Sequence, residues 1–272
     1  MTQLINSNNM TNKYGWGTTS WSGYDLKIVA VVTMLIDHIG ASLLWRYIEM
    51  SHGYNDSVLM GIYELTRYVG RMAFPIYCFL LVEGFLHTRS VGKYAIRLGI
   101  FALISEVPFD LALNQKLWRP SSNNVFFTLL IGLLLIWGIS KVEIFYRFWR
   151  EKKLDAFIGT LAALAVTVLM VVPALFLAEV VLASDYGMGG VLAILVLYLF
   201  RNYYVIGYAL AIIVLYIFAG SSEILALVML LPLSMYDGTR GPKQAKWSKY
   251  AFYAFYPVHL LVLGLLCAVL GI

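Results

Sequence analysis

About nine runs of apolar residues, most of them close to the length that crosses a bilayer, follow one another between Leu26 and Leu270. A hydrocarbon core of about 30 Å is spanned by about 20 helical residues. A helix satisfies its own backbone N–H and C=O groups, as lipid requires. The runs fall at about 26–47, 69–86, 94–113, 125–140, 156–183, 189–200, 203–218, 224–235 and 250–270. The fifth is long enough to tilt, and the eighth is short enough to be re-entrant. The expectation is an all-α, polytopic integral membrane helix bundle with about nine transmembrane helices. It forms a single domain over residues 25–272, behind a polar segment, 1–24, expected to be disordered, with Trp16, Trp21 and Tyr24 suited to the interface.

Composition agrees. Of 272 residues, 61% are hydrophobic and 13% charged, too few polar groups to coat a water-facing surface. The net charge of +5 comes from Lys and Arg between apolar runs, with no separate basic stripe, so nucleic acid is not an expected partner. No secretory signal peptide is expected. Cys78 and Cys267 sit in separate runs without metal-ligand spacing and read as reduced packing residues. With the N-terminus cytoplasmic, 15 Lys and Arg fall inside and five outside: Arg46, Arg67, Arg71, Lys116 and Arg119. That bias predicts a multi-pass protein of the cell's inner membrane, N-terminus in and C-terminus out.

Ionisable residues inside such runs are costly and point to function. The first run, LKIVAVVTMLIDHIG, carries Asp37 and His38. Lys27 and His38 are eleven positions apart, about three turns, so they share a face about 16 Å apart, with Val31 and Met34 between them. A cation at the rim and an imidazole below it suit a long, anionic, thiol-ended cofactor. Asp37 points about 100° away from His38 and needs a partner from another helix; Arg71 and Arg97 are candidates. It reads equally well as a salt bridge holding the bundle together.

Further along, Glu83 and His87 share a helix face, with Arg89 beyond them. They suit a cofactor-phosphate site, a proton relay or a packing pair. Two ligands alone do not make a metal site, and no metal is expected. Glu106 and Asp110 flank Pro108, where a kink is expected. With Asn124 they form a candidate acceptor site near the outer side, or a solvated rim pair. Pro257 and His259 are expected to interrupt the last helix amid Tyr250, Tyr253 and Tyr256, a candidate acceptor surface or an aromatic belt. Asp185, in the turn SDYGMGG, is unpaired by sequence and expected to face outside.

The blocks LKIVAVVTMLIDHIG, RMAFPIYCFLLVEGFLHTRSV, LISEVPFDLAL, NNVFFTLLIGLL, SDYG and KYAFYAFYPVHLLVL together resemble the TraX family over nearly the whole chain from Leu26 onward. The family's namesake is the membrane acetylase that modifies conjugative pilin at its N-terminus. A basic residue, ten intervening residues and a His in the first helix is also similar to acyltransferase-3 membrane enzymes. Their base is usually Arg, whereas Lys27 lacks the bidentate fork. These resemblances imply transfer of an acetyl or other short acyl group from cytosolic acyl-CoA, with acetyl-CoA as co-substrate. The acceptor would be an amine or hydroxyl at the outer face: a protein such as pilin, a peptide or a surface glycan. His38 would then be base or nucleophile, supported by Asp37. Lys27, Arg71, Glu83, His87, Arg89 and Arg97 would serve the cofactor, with Lys93 nearby. Glu106, Asp110, Asn124, Asp185, Tyr256 and His259 would serve the acceptor. Two other readings stand beside this one. One is a secondary transporter coupled through Asp37, Glu83 and Glu106, against which the chain shows no paired halves. The other is a non-catalytic membrane assembly factor.

Overall fold

The computed structural model describes residues 20–151, 156–241 and 248–272. The polar stretch up to residue 19, with Lys13 and Trp16, lies outside the described residues, as do Lys152, Lys153, Lys243 and Lys246. The helical segments, in chain order, are α1 (Gly23–Ser51), α2 (Ser57–His87), α3 (Val91–Phe109, continued by a wider π-type turn, Asp110–Asn114), α4 (Val125–Glu151) and α5 (Ala156–Val181). Then follow α6 (Gly187–Leu199), α7 (Tyr204–Phe218), α8 (Ser221–Ser234) and α9 (Ser248–Leu270). They match the apolar runs one for one. By length and composition, α1, α2, α4, α5, α9 and α7 with the 3-10 turn before it (Arg201–Phe218) can each cross a membrane. The charges of α3 and the shortness of α6 and α8 separate those three from the others.

Four features differ from the sequence reading. α4 runs on to Glu151, eleven residues past its expected end at Ser140. α2 begins twelve residues before Val69, because the Asp56 carboxylate caps the N–H groups of Val58 and Leu59, both at 3.0 Å. Arg67 and Arg71 therefore lie mid-helix and not in an outer loop. Pro257 does not interrupt α9, which continues through it. α8 is a tight 3-10 helix over Ser221–Met229 and α-helical only for its last five residues.

α1 starts at a reciprocal cap in which Ser22 Oγ accepts from Asp25 N and Asp25 Oδ2 accepts from Ser22 N. It then runs antiparallel to α2 at glycine-limited distance. A Cβ on Gly40 would lie 1.9 Å from Thr66 Oγ1, and one on Gly70 would lie 2.1 Å from Asp37 Oδ1. Small residues permit this approach, since apolar burial drives little helix association in lipid. α6 lies deepest, packed against α4 and α7, with Val191, Ala193 and Ile194 fully buried. α5 is the opposite case: 6% of its apolar window is buried, and it leans mainly on α4.

The bundle has two ends. At the proximal end, Gly23 N donates to Thr239 O, Tyr236 Oη to Glu83, and Arg240 to the His87 carbonyl. At the distal end, Asp185 N donates to Asn123 O, and Arg46 donates to the carbonyls of Leu111 and Ala112.

Candidate functional site

A cavity of about 340 Å³ opens in the distal half of the bundle. Its walls come from the second half of α1 (Met34, Asp37, His38, Trp45), the first half of α2 (Tyr63, Arg67, Arg71, Phe74, Tyr77) and the end of α3. Asp185, Tyr186 and Tyr256 complete it. Its size falls within the range of small-molecule pockets, about 300–1,000 Å³.

With both rings neutral, the hydrogen-bond pattern assigns the tautomers of its histidines. His259 Nδ1 lies 2.6 Å from the Phe255 carbonyl, one turn earlier on α9. A carbonyl only accepts, so Nδ1 carries the proton and His259 Nε2 holds a lone pair. His38 Nδ1, 2.6 Å away, must donate to it. That leaves His38 Nε2 as a lone pair without a hydrogen bond among the described residues, on a side chain that lines the cavity. Tyr256 stands edge-on to both rings, at 5.8 Å and 5.7 Å, with its hydroxyl buried. The chain from carbonyl to imidazole to imidazole orients a base and spreads the charge of a proton it takes up.

Asp37 is paired, and its partner is Arg67, at 2.9 Å, not Arg71 or Arg97. Its other oxygen is buried and unpartnered beside Gly70. Arg71 meets Glu223 at 3.3 Å and the Tyr186 hydroxyl at 3.5 Å. Asp185 does not simply face outside: it lines this cavity and a second one of about 380 Å³. Its side chain is exposed, yet the protein packed around the turn, with Asp37, raises its carboxyl to about 6 against Arg71 and Arg67.

The other predicted residues lie elsewhere. Lys27 shares the face of His38 but sits in the proximal half, its ammonium 5.7 Å from the Phe252 ring, and does not line the cavity. Glu83 binds Tyr236 and stands 3.8 Å from His87 at the same end. Arg89 is exposed there, and Arg97 lies 5.6 Å from the Tyr94 ring. These cofactor candidates therefore do not converge on His38; Arg71 alone among them reaches the cavity. Glu106 and Asn124 do come together, but as a clamp outside the cavity. Glu106 Oε1 accepts from Asn124 N and Nδ2, while Asn124 Oδ1 caps Phe126 N at 3.0 Å. Asp110 accepts from Asn114 Nδ2 and Arg119 N, closing the end of α3. Among the described residues, no three His, Cys, Asp or Glu side chains come together as a metal-binding group.

Sequence reasoning missed Arg67, Glu223 and Tyr186. The i,i+4 spacing of Arg67 and Arg71 was the available signal: two cations on one helix face. Glu223 opens α8 at the edge of an apolar run, with no local sign that it is wholly buried.

Residues 22–267 match the family model described as TraX protein. The chain is also similar to a curated protein of Dichelobacter nodosus named "Probable fimbrial assembly protein FimC, serogroup H1", 33% identical over 127 residues. That alignment covers 43% of this chain and 46% of the relative, so the chain spans about half the length of the curated relative it matches. No solved structure matches it.

Proposed function

The chain belongs to the TraX family, and on that premise we propose that this multi-pass membrane protein is an acyltransferase acting in pilus or fimbrial assembly. It moves an acetyl or other short acyl group from acetyl-CoA to an amine or hydroxyl at the outer face, on a pilin, a peptide or a surface glycan. The observation that carries the reading is a His38 side chain that lines the cavity, its Nδ1 held by His259 and its Nε2 without a hydrogen bond among the described residues.

Acetyl-CoA supplies the activated acyl group. The cavity has room for a thioester end or an acceptor's reacting group, and not for a whole nucleotide. Lys27, Arg89 and Lys93, with Arg240 close to Lys27, form a cationic rim at the proximal end and would hold the phosphates there. The chain's own part in the reaction is proton management. His38 Nε2 takes the proton from the acceptor N–H or O–H as the new bond to the acyl carbon forms; the carbon–sulfur bond then breaks, and the leaving thiolate takes that proton from His38 to depart as the thiol. His259 holds the ring of His38 and shares the resulting charge. The Asp37–Arg67 pair fixes the neighbouring wall. General-base assistance of this kind contributes about 10²–10⁴ in rate.

The same reading places the proximal end in the cytosol of a cell with this protein in its inner membrane. Three of the five cations counted as outer are in fact inside the bundle: Arg46 is buried, and Arg67 and Arg71 are paired. Discounting them strengthens the positive-inside bias.

One observation favours a second reading. The cavity lies at the end opposite the cationic rim, as it would in a non-catalytic assembly factor that cradles a pilin segment. The test separates the two. Membranes holding the protein are incubated with labelled acetyl-CoA, and both thiol release and labelled acceptor are followed. The proposal expects transfer that falls by at least about 10² in His38→Ala with membrane insertion unchanged. Association with an acceptor without thiol release would leave the assembly-factor reading standing.

A further inference from the structure

Two cavities share one wall. Arg71, Asp185 and Tyr186 line both. On one side lies the aromatic cavity of His38. On the other, Ser122, Glu179, Ser184 and Phe218 line a more polar space open to the distal end. Of these three shared residues, Tyr186 carries the bulky ring. Its backbone is held in the left-handed region, with φ at +64°, a conformation costly for a bulky residue. The turn is anchored on both flanks: Asp185 N donates to Asn123 O at 2.8 Å, Thr128 Oγ1 donates to Asp185 O, and Gly187 N donates to Ser184 O.

The ring is packed as well. It stacks on Phe74, centroids 3.7 Å apart and planes 12° from parallel, and its hydroxyl meets Arg71 at 3.5 Å, the outer limit of a hydrogen bond. An anchored backbone and a packed ring are the features of a partition.

We propose that Tyr186 is a size-selecting partition in a two-chamber acceptor path. The acceptor's reacting end occupies the cavity of His38, its following polar segment occupies the second cavity, and the portion that crosses Tyr186 must be slim and extended. This inference rests on the acyltransferase reading for its substrate and on the shared wall for its geometry. Tyr186 is therefore a specificity-determining residue: a smaller side chain here admits acceptors with a bulky group at the crossing position.

The experiment reads the partition without requiring acyl transfer. Ala41, on the wall of the first cavity, is replaced by Cys. The parent, whose Cys78 and Cys267 are buried, serves as the blank. Membrane-impermeant methanethiosulfonate reagents, one small and one bulky, are applied from the distal face. Tyr186→Ala is expected to speed labelling of Cys by the bulky reagent tenfold or more, and Tyr186→Phe to leave it unchanged. Tyr186→Leu, which keeps an apolar contact with Phe74, is the alternate if the alanine variant fails to fold, and is expected to give an intermediate rate. Equal labelling by the bulky reagent in parent and small-residue variants would overturn the partition. Faster labelling in a protein that releases no thiol from acetyl-CoA would keep the partition and sink the acyltransferase reading.

Discussion

A methyl group added at Gly70 should do more damage than any other single added carbon along the α1–α2 seam. A Cβ there would stand 2.1 Å from Asp37 Oδ1 and 2.3 and 2.4 Å from its Cβ and Cγ, whereas ordinary contact begins near 3.4 Å. Either the helices part by about 1 Å, which close-packed interiors resist, or the carboxylate swings away and the 2.9 Å bridge to Arg67 breaks. Overpacking costs about 1–3 kcal/mol. Losing one side of a fully buried ion pair costs about 3–5 kcal/mol. The side chains here are 24% and 16% exposed, so that figure is an upper bound. Alanine's better helix propensity returns about 1 kcal/mol. The net expectation for Gly70→Ala is a destabilisation of about 3 kcal/mol, read by reversible denaturant unfolding in detergent. Asp37→Gly removes all three of these atoms, so the same methyl should cost less than about 1 kcal/mol on that background. A Gly70→Ala protein within about 0.5 kcal/mol of the parent, or an equal cost in both backgrounds, would refute the steric argument.

Three further outcomes are expected. His259→Phe keeps the ring and removes the acceptor for His38 Nδ1–H. Acyl transfer should fall by about 10² while KM for the acceptor changes little; an unchanged rate would dissociate the second imidazole from the chemistry. Asp185 titrates near 6 in the fold against 3.8 unperturbed. The folded state therefore binds more protons than the unfolded chain between those values, and stability should fall as pH rises from about 4 to about 6 and level off above. Asp185→Asn should flatten that slope in thermal unfolding scans. Arg46→Met leaves the carbonyls of Leu111 and Ala112 without their donor and should cost about 2–4 kcal/mol in the same unfolding assay.

Much of the fold was legible because hydropathy is a local signal. Every helix announced itself as an apolar run. Where the reading erred, charge inside the bundle was the cause. Arg67 and Arg71 looked like loop residues because their neutralising partners, Asp37 and Glu223, lie 30 and 152 positions away in the chain. Helical phase correctly put His38 and Lys27 on one face, but phase does not say how far a cavity extends, and this one stops at Met34. Glu106, Asp110 and Asn124 have the chemistry of a binding site. Their hydrogen-bonding capacity is taken up by chain ends and turns, which sequence spacing does not reveal. Asp185 and Tyr256 reached the cavity because the turn before α6 and the middle of α9 converge there.

The separation between Arg71 and Glu223 has a consequence for how the protein is made. Asp37 and Arg67 belong to the first hairpin and can neutralise each other as soon as it is inserted. Arg71 enters the membrane with that hairpin, yet its carboxylate is synthesised about 150 residues later, a delay of roughly 8–30 s at ribosomal speeds of about 5–20 residues per second. During that interval Arg71 must share Asp37, the carboxylate already bridged to Arg67. Biogenesis thus includes a waiting stage in which the insertion machinery, and not the finished bundle, must shelter one charge.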